Sequence, residues 1–140
     1  MKILDDCWND VGAADCDFGP YVFKDSTAKI YVYDGLDVGN DMSPMFNRRS
    51  ASGFAGHCLL VFQGVQSFEF ALRHYEEKSG TVVWGDREVR RYQGQAEDGA
   101  RKYFLGGRLH GCTCYVSIEL EAQRFQIRLF EEGEIVDLSE

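Results

Sequence analysis

Between Thr113 and Phe130 apolar and polar residues alternate almost without interruption. Cys114, Val116, Ile118 and Leu120 fall on one parity, and Tyr115, Ser117, Glu119 and Glu121 on the other. The alternation resumes with Phe125, Ile127 and Leu129 against Arg124, Gln126 and Arg128. Successive side chains of a strand point to opposite faces of its sheet, so this period of two predicts half-buried strands over 113–121 and 124–130. Ala122-Gln123 lies between them, and the expectation is an antiparallel hairpin.

The same pattern predicts strands at 29–33, 57–62, 67–75, 81–84, 88–92 and 102–105, with a last edge strand at 134–138. The run 57–62 is too apolar for an exposed edge. Phe68, Phe70 and Leu72 at alternate positions favour strand over helix in their segment. Gly85-Asp86 and Gly106-Gly107 are expected to interrupt strands. Residues 1–20 read as a loop or one short helix. Residues 36–56 read as a long polar loop with room for one short strand, and loops of that length carry function more often than chance. Eight or nine short strands with little helix predict a mainly β fold, an antiparallel sandwich or partly open barrel, in a single domain over 1–140.

Composition sharpens this picture. A hydrophobic fraction of 44% and an aromatic fraction of 14% are enough for a packed core. No stretch approaches the ~20 apolar residues of a spanning helix. Asp5 and Asp6 stand where a secretion signal needs its apolar run. Five cysteines do not form an even disulfide framework, so reduced thiols in a cytoplasm are expected, with Cys7, Cys16 and Cys58 as small core residues. The net charge of −8 sits at the two ends. Residues 1–25 hold six acids against Lys2 and Lys24, and residues 119–140 hold seven against Arg124 and Arg128. Such a field disfavours nucleic acid and anionic membrane and favours a basic partner.

Candidate chemistry is sparse. On a strand, His110, Cys112 and Cys114 would project from one face, but neighbours on a face are ~7 Å apart, too far for tetrahedral zinc without a bulge, and no bound metal or other cofactor is expected. His57 and Cys58, as adjacent strand residues, would face opposite ways. No Gly-x-Ser-x-Gly elbow is present, Gly106-Gly107 lacks the lysine and helix of a phosphate loop, and Glu76-Glu77 and Glu131-Glu132 read as solvated turns. An enzyme is therefore not expected. Arg87, Arg90, Arg91, Arg101, Lys102 and Arg108 are diluted by Asp86, Glu88, Glu97 and Asp98 and read as cross-strand ion pairs.

The segment from Asp34 to Phe46 combines acids with apolar anchors. Asp34, Asp37 and Asp41 stand among Met45, Phe46 and Tyr33, with Leu36, Met42 and Tyr31 close in sequence. Acids that steer and side chains that hold are what recognition of a basic protein requires. The three acids do not have EF-hand spacing, so calcium is the weaker reading.

A small, acidic, cysteine-containing, strand-rich chain without catalytic residues resembles, in type, the small bacterial immunity proteins, which neutralise secreted or contact-delivered toxins, many of them basic nucleases. The resemblance implies a cytoplasmic, non-catalytic inhibitor that binds and blocks a basic toxin domain. The alternatives are a small-ligand carrier with a barrel cavity lined by Phe68, Phe70, Tyr115 and Phe125, a metal-dependent enzyme built on His110, Cys112 and Cys114, and a structural subunit.

Overall fold

The computed structural model describes residues 1–95 and 98–139. Glu97 and Glu140, counted above among the acids, lie outside the described residues. Twelve strands form: β1 (Lys2–Asp5), β2 (Cys16–Lys24), β3 (Thr27–Asp34), β4 (Leu36–Asp37), β5 (Arg48–Arg49), β6 (Phe54–Gly56), β7 (Cys58–Gln63), β8 (Ser67–Lys78), β9 (Thr81–Gln93), β10 (Arg101–Leu109), β11 (Cys114–Ala122) and β12 (Arg124–Leu129). Among the described residues helix is limited to α1 (Gly39–Met42) and two 3-10 turns, Trp8–Asp10 and Ser43–Met45. The mainly β expectation holds. Among the described residues no helix is long and apolar enough to cross a membrane.

Nine strands make one sheet in the order β1-β12-β7-β3-β2-β10-β11-β8-β9, and β4-β6-β5 make a second, small one. Among the described residues every strand pairing is antiparallel except β10 with β2, which run parallel over Gly107↔Cys16 to Leu109↔Phe18. Gly107 is required there, because its φ is +148° and a Cβ would run into the Cys16 carbonyl.

The large sheet curls over its own core. β7 and β10 stand three places apart, ~14 Å in a flat sheet, yet the Phe62 and Tyr103 ring centroids lie 5.0 Å apart. Tyr21 of β2 likewise stacks on Phe70 of β8 at 4.5 Å. The two ends do not join, so the result is an open barrel whose interior holds Phe18, Ile30, Leu60, Phe62, Val116, Ile118 and Ile127. Trp8 closes one end, edge-on to Phe62, Tyr103 and Phe125 at 6.0, 5.0 and 5.1 Å. A smaller cluster on the outer face puts Tyr31, Leu59 and Val61 beneath Phe130, Val136 and Leu138. β7 is thus covered on both faces, which explains its unbroken apolar run.

Several expectations are corrected. The strands at 114–122 and 124–129 exist with the predicted facing, but they do not form a hairpin: β11 pairs with β10 and β8, whereas β12 pairs with β1 and β7. Periodicity fixes which side chains point inward and carries no information on which strand lies alongside. Residues 1–20 contribute β1, a 3-10 turn and the start of β2. Gly85 and Gly106 do not break β9 or β10, since Gly85 falls at a register shift opposite 73–75 and Gly106 stays in register with Ser117. Residues 134–138 form no strand and pack as an extended strap through Val136 and Leu138.

Candidate functional site

The segment expected to be a loop is instead folded into the small sheet, which is anchored to the barrel by buried Leu36, Val38, Phe46 and Ala55. Leu36 faces Ala55, and Asp37 faces Phe54. Arg48 and Arg49 face Gly56 and Ala55. The small residues are needed because β6 crosses β3 closely: a Cβ on Gly56 would run into the Tyr33 carbonyl.

Asp34, Asp37 and Asp41 are exposed. Asp34 caps the Gly35 N–H through Oδ1 at 2.8 Å, and Asp37 accepts from the Gly39 N–H at 3.3 Å. No ion pair among the described residues involves these three. The N-terminal segment runs alongside: the Gly12 and Asp37 backbones exchange hydrogen bonds of 2.7 and 2.9 Å, and the Asp15 carbonyl packs against Gly35.

The expected apolar anchors divide. Met45 is 45% exposed on this lobe. Phe46 is 1% exposed and belongs to the barrel core, so its assignment as an anchor is corrected. Its place is taken by Phe54, 38% exposed and directly opposite Asp37. Sequence reasoning missed Phe54, because it lies in a stretch read as polar loop and no periodicity there marks it as exposed.

Tyr33 is half-buried and stacks on His110 with centroids 4.0 Å apart and planes at 20°. Its carbonyl accepts from Arg48 at 3.2 Å. His110 Nδ1 donates to Asp17 Oδ2 at 2.8 Å, and Arg108 Nε lies 3.7 Å from Asp17 Oδ1. That second approach is a charge contact too long for a hydrogen bond, leaving the buried Oδ1 without one. Tyr33, His110 and Asp17 form a fixed ring stack beside Asp34, which pairs with Asp17 across β2 and β3.

The strand geometry assumed for His110, Cys112 and Cys114 is corrected. Residues 110–113 form the turn joining β10 to β11, with Cys112 exposed and Cys114 buried. Cys114 Sγ accepts from the Leu109 N–H at 3.4 Å. Among the described residues no three His, Cys, Asp or Glu side chains are grouped to hold a metal ion. Burial raises the thiols of Cys7, Cys58 and Cys114 and pushes that of Cys16 up to about 12. His57 and Cys58 face opposite sides: His57 stands against Phe130 on the outer face, and Cys58 lies in the barrel core.

The basic residues are placed as the ion-pair reading implies in part. Arg87 and Arg91 both reach Glu69, at 3.3 and 3.1 Å, and Arg101 lies over the Tyr103 ring at 5.1 Å. The cavity lining suggested for a carrier is not assembled, because Phe68 and Phe125 are core residues while Tyr115 stands 53% exposed outside. No protein-family model, no curated protein and no solved structure matches this chain.

Proposed function

We propose that this chain is a non-catalytic inhibitor, acting in the cytoplasm, that binds and blocks a basic protein in the manner of a bacterial immunity protein. The observation that carries the reading is the union of exposed Asp34, Asp37 and Asp41, which form no ion pair among the described residues, with exposed Phe54 and Met45 on one lobe. Exposed carboxylates steer a cationic surface, and a packed ring next to them supplies the contact that slows its departure. The Tyr33–His110 stack extends the face with an aromatic plate flanked by acids, suited to a lysine or arginine side chain. The net charge of −8 supports the same sign of partner.

The test is co-expression with the product of an adjacent reading frame, scoring growth rescue, followed by association kinetics of the purified pair. The association rate should fall steeply with ionic strength, since the Debye length shrinks from ~10 Å at 0.1 M to ~3 Å at 1 M. Asp37→Lys should slow association, and Phe54→Ala should mainly speed dissociation. Rescue without complex formation, or unchanged affinity after replacing all three acids, overturns the reading.

A further inference from the structure

A cleft opens where the sheet splits. β2 runs beside β10 only as far as Phe18↔Leu109, then departs through Gly19 and Pro20 to place Tyr21 against β8. Pro20 has no N–H to continue a ladder, and the register between β2 and β3 shifts between Phe18 and Tyr21. The gap left behind has a volume of about 340 Å³ and lies between Pro20, Tyr21, Phe70, Leu72 and Leu109. That size falls within the range of small-molecule sites, which favour barrel mouths with apolar walls and a few polar groups.

Two charges border it. Glu88 and Arg90 are alternate residues of β9, so they project from the same face, opposite Leu72 and Phe70. No salt bridge involves either residue among the described ones. This contrasts with Arg87 and Arg91 on the other face of β9, both held by Glu69. The Arg90 guanidinium lies near the Tyr21 hydroxyl, which is itself 3.1 Å from the Tyr92 hydroxyl. An acid and a base that share a rim, without ion-pairing to one another, form a dipole ready for a ligand of opposite polarity.

We propose that this cleft binds a free apolar α-amino acid. Its carboxylate lies on the Arg90 guanidinium and the Tyr21 hydroxyl, its ammonium on Glu88, and its side chain against Phe70, Leu72 and Leu109. A simple carboxylate would engage only Arg90 and a simple amine only Glu88, whereas the zwitterion engages both of these exposed charges at once. The site lies on β2, β8, β9 and β10, apart from the lobe that carries Asp37 and Phe54, with Gly19 and Leu109 bordering the Tyr33–His110 stack.

The experiment is NMR titration of the full chain with L-phenylalanine and L-leucine, following the methyl signals of Leu72 and Leu109. N-acetyl-L-phenylalanine and L-phenylalaninamide serve as the singly charged probes. Saturable shifts are expected with a Kd of about 1 mM or tighter, weakened about tenfold for either singly charged probe. Arg90→Gln should abolish the preference for phenylalanine over its amide. Glu88→Gln should abolish the preference over the N-acetyl form. Leu72→Trp should fill the cleft and remove binding while the thermal midpoint stays near that of the parent. Absence of saturable shifts, or equal binding of the zwitterion and both blocked forms, overturns the proposal.

Discussion

The hydroxyl of Tyr31 lies 2.6 Å from Nδ1 of His57, and Nε2 of the same ring lies 2.8 Å from the Glu131 carbonyl. A carbonyl can only accept, so Nε2 carries the proton and Nδ1 accepts from Tyr31. His57 also holds a left-handed φ of +56°, unusual for a residue with a side chain of this size. One buried ring thereby ties β3, the start of β7 and the strap after β12 together. Tyr31→Phe should destabilise the protein by about 1–3 kcal/mol, because it leaves Nδ1 buried without a donor. Urea denaturation reads the cost, and nitrogen NMR should show the Nε2–H tautomer. An Nδ1–H tautomer would contradict the assignment.

The facing of β11 can be checked with adjacent residues. Ile118 is buried in the core and Glu119 is exposed on the outer face. Ile118→Ala should cost ~2–4 kcal/mol as a cavity, whereas Glu119→Ala should stay within ~0.5 kcal/mol of the parent. Equal losses at the two positions would refute the inward parity.

Phe46 distinguishes a core residue from a contact residue. With its ring inside the barrel, Phe46→Ala should lower stability by about 3–5 kcal/mol. Phe54→Ala should change the unfolding midpoint little. A Phe46→Ala protein as stable as the parent would return the ring to the surface.

The thiols give a pH signature. Cys16 is held at about 12 against an ordinary 9.0, chiefly by burial, with Asp15 and Asp17 adding to the rise. A group whose folded pKa is raised contributes fully below its unfolded pKa, and that contribution is lost as pH climbs from 9 towards 12. Stability should therefore fall above pH 9, each such thiol adding about 1.4 kcal/mol per pH unit to the slope. Cys16→Ala should make the slope shallower. Alkylation of native protein at pH 8 should modify exposed Cys112 first, with the four buried thiols reacting only on unfolding.

The strand content and its facing were legible in the alternation of residues such as Val116, Ile118, Phe125 and Ile127, because burial on one side of a sheet imposes a period of two. Partnership was not legible. Gln123 turns the chain out of one hydrogen-bonded neighbourhood and into another, and a corner of that kind has no hydropathy signature. The candidate lobe was legible in its acids, which remain exposed, and illegible in its rings. Phe46 and Phe54 have the same chemistry, and the burial of one and exposure of the other come from tertiary packing that neighbouring residues do not encode.

The placement of β12 between β1 and β7 sets an order of assembly. Leu129 meets Lys2 on one side and Cys58 on the other, so residues near the two ends of the sequence must find each other before the barrel wall is continuous. A nascent chain that has not yet released residues 124–129 presents the flank of β7, with Leu59, Leu60, Val61 and Phe62 open to any passing strand. Pairings between residues this far apart in sequence make folding slow, since the loop-closure entropy must be met before the contacts form. Truncation before Arg124 leaves a sticky, half-built wall, and synthesis itself becomes the interval in which this protein is most exposed to aggregation.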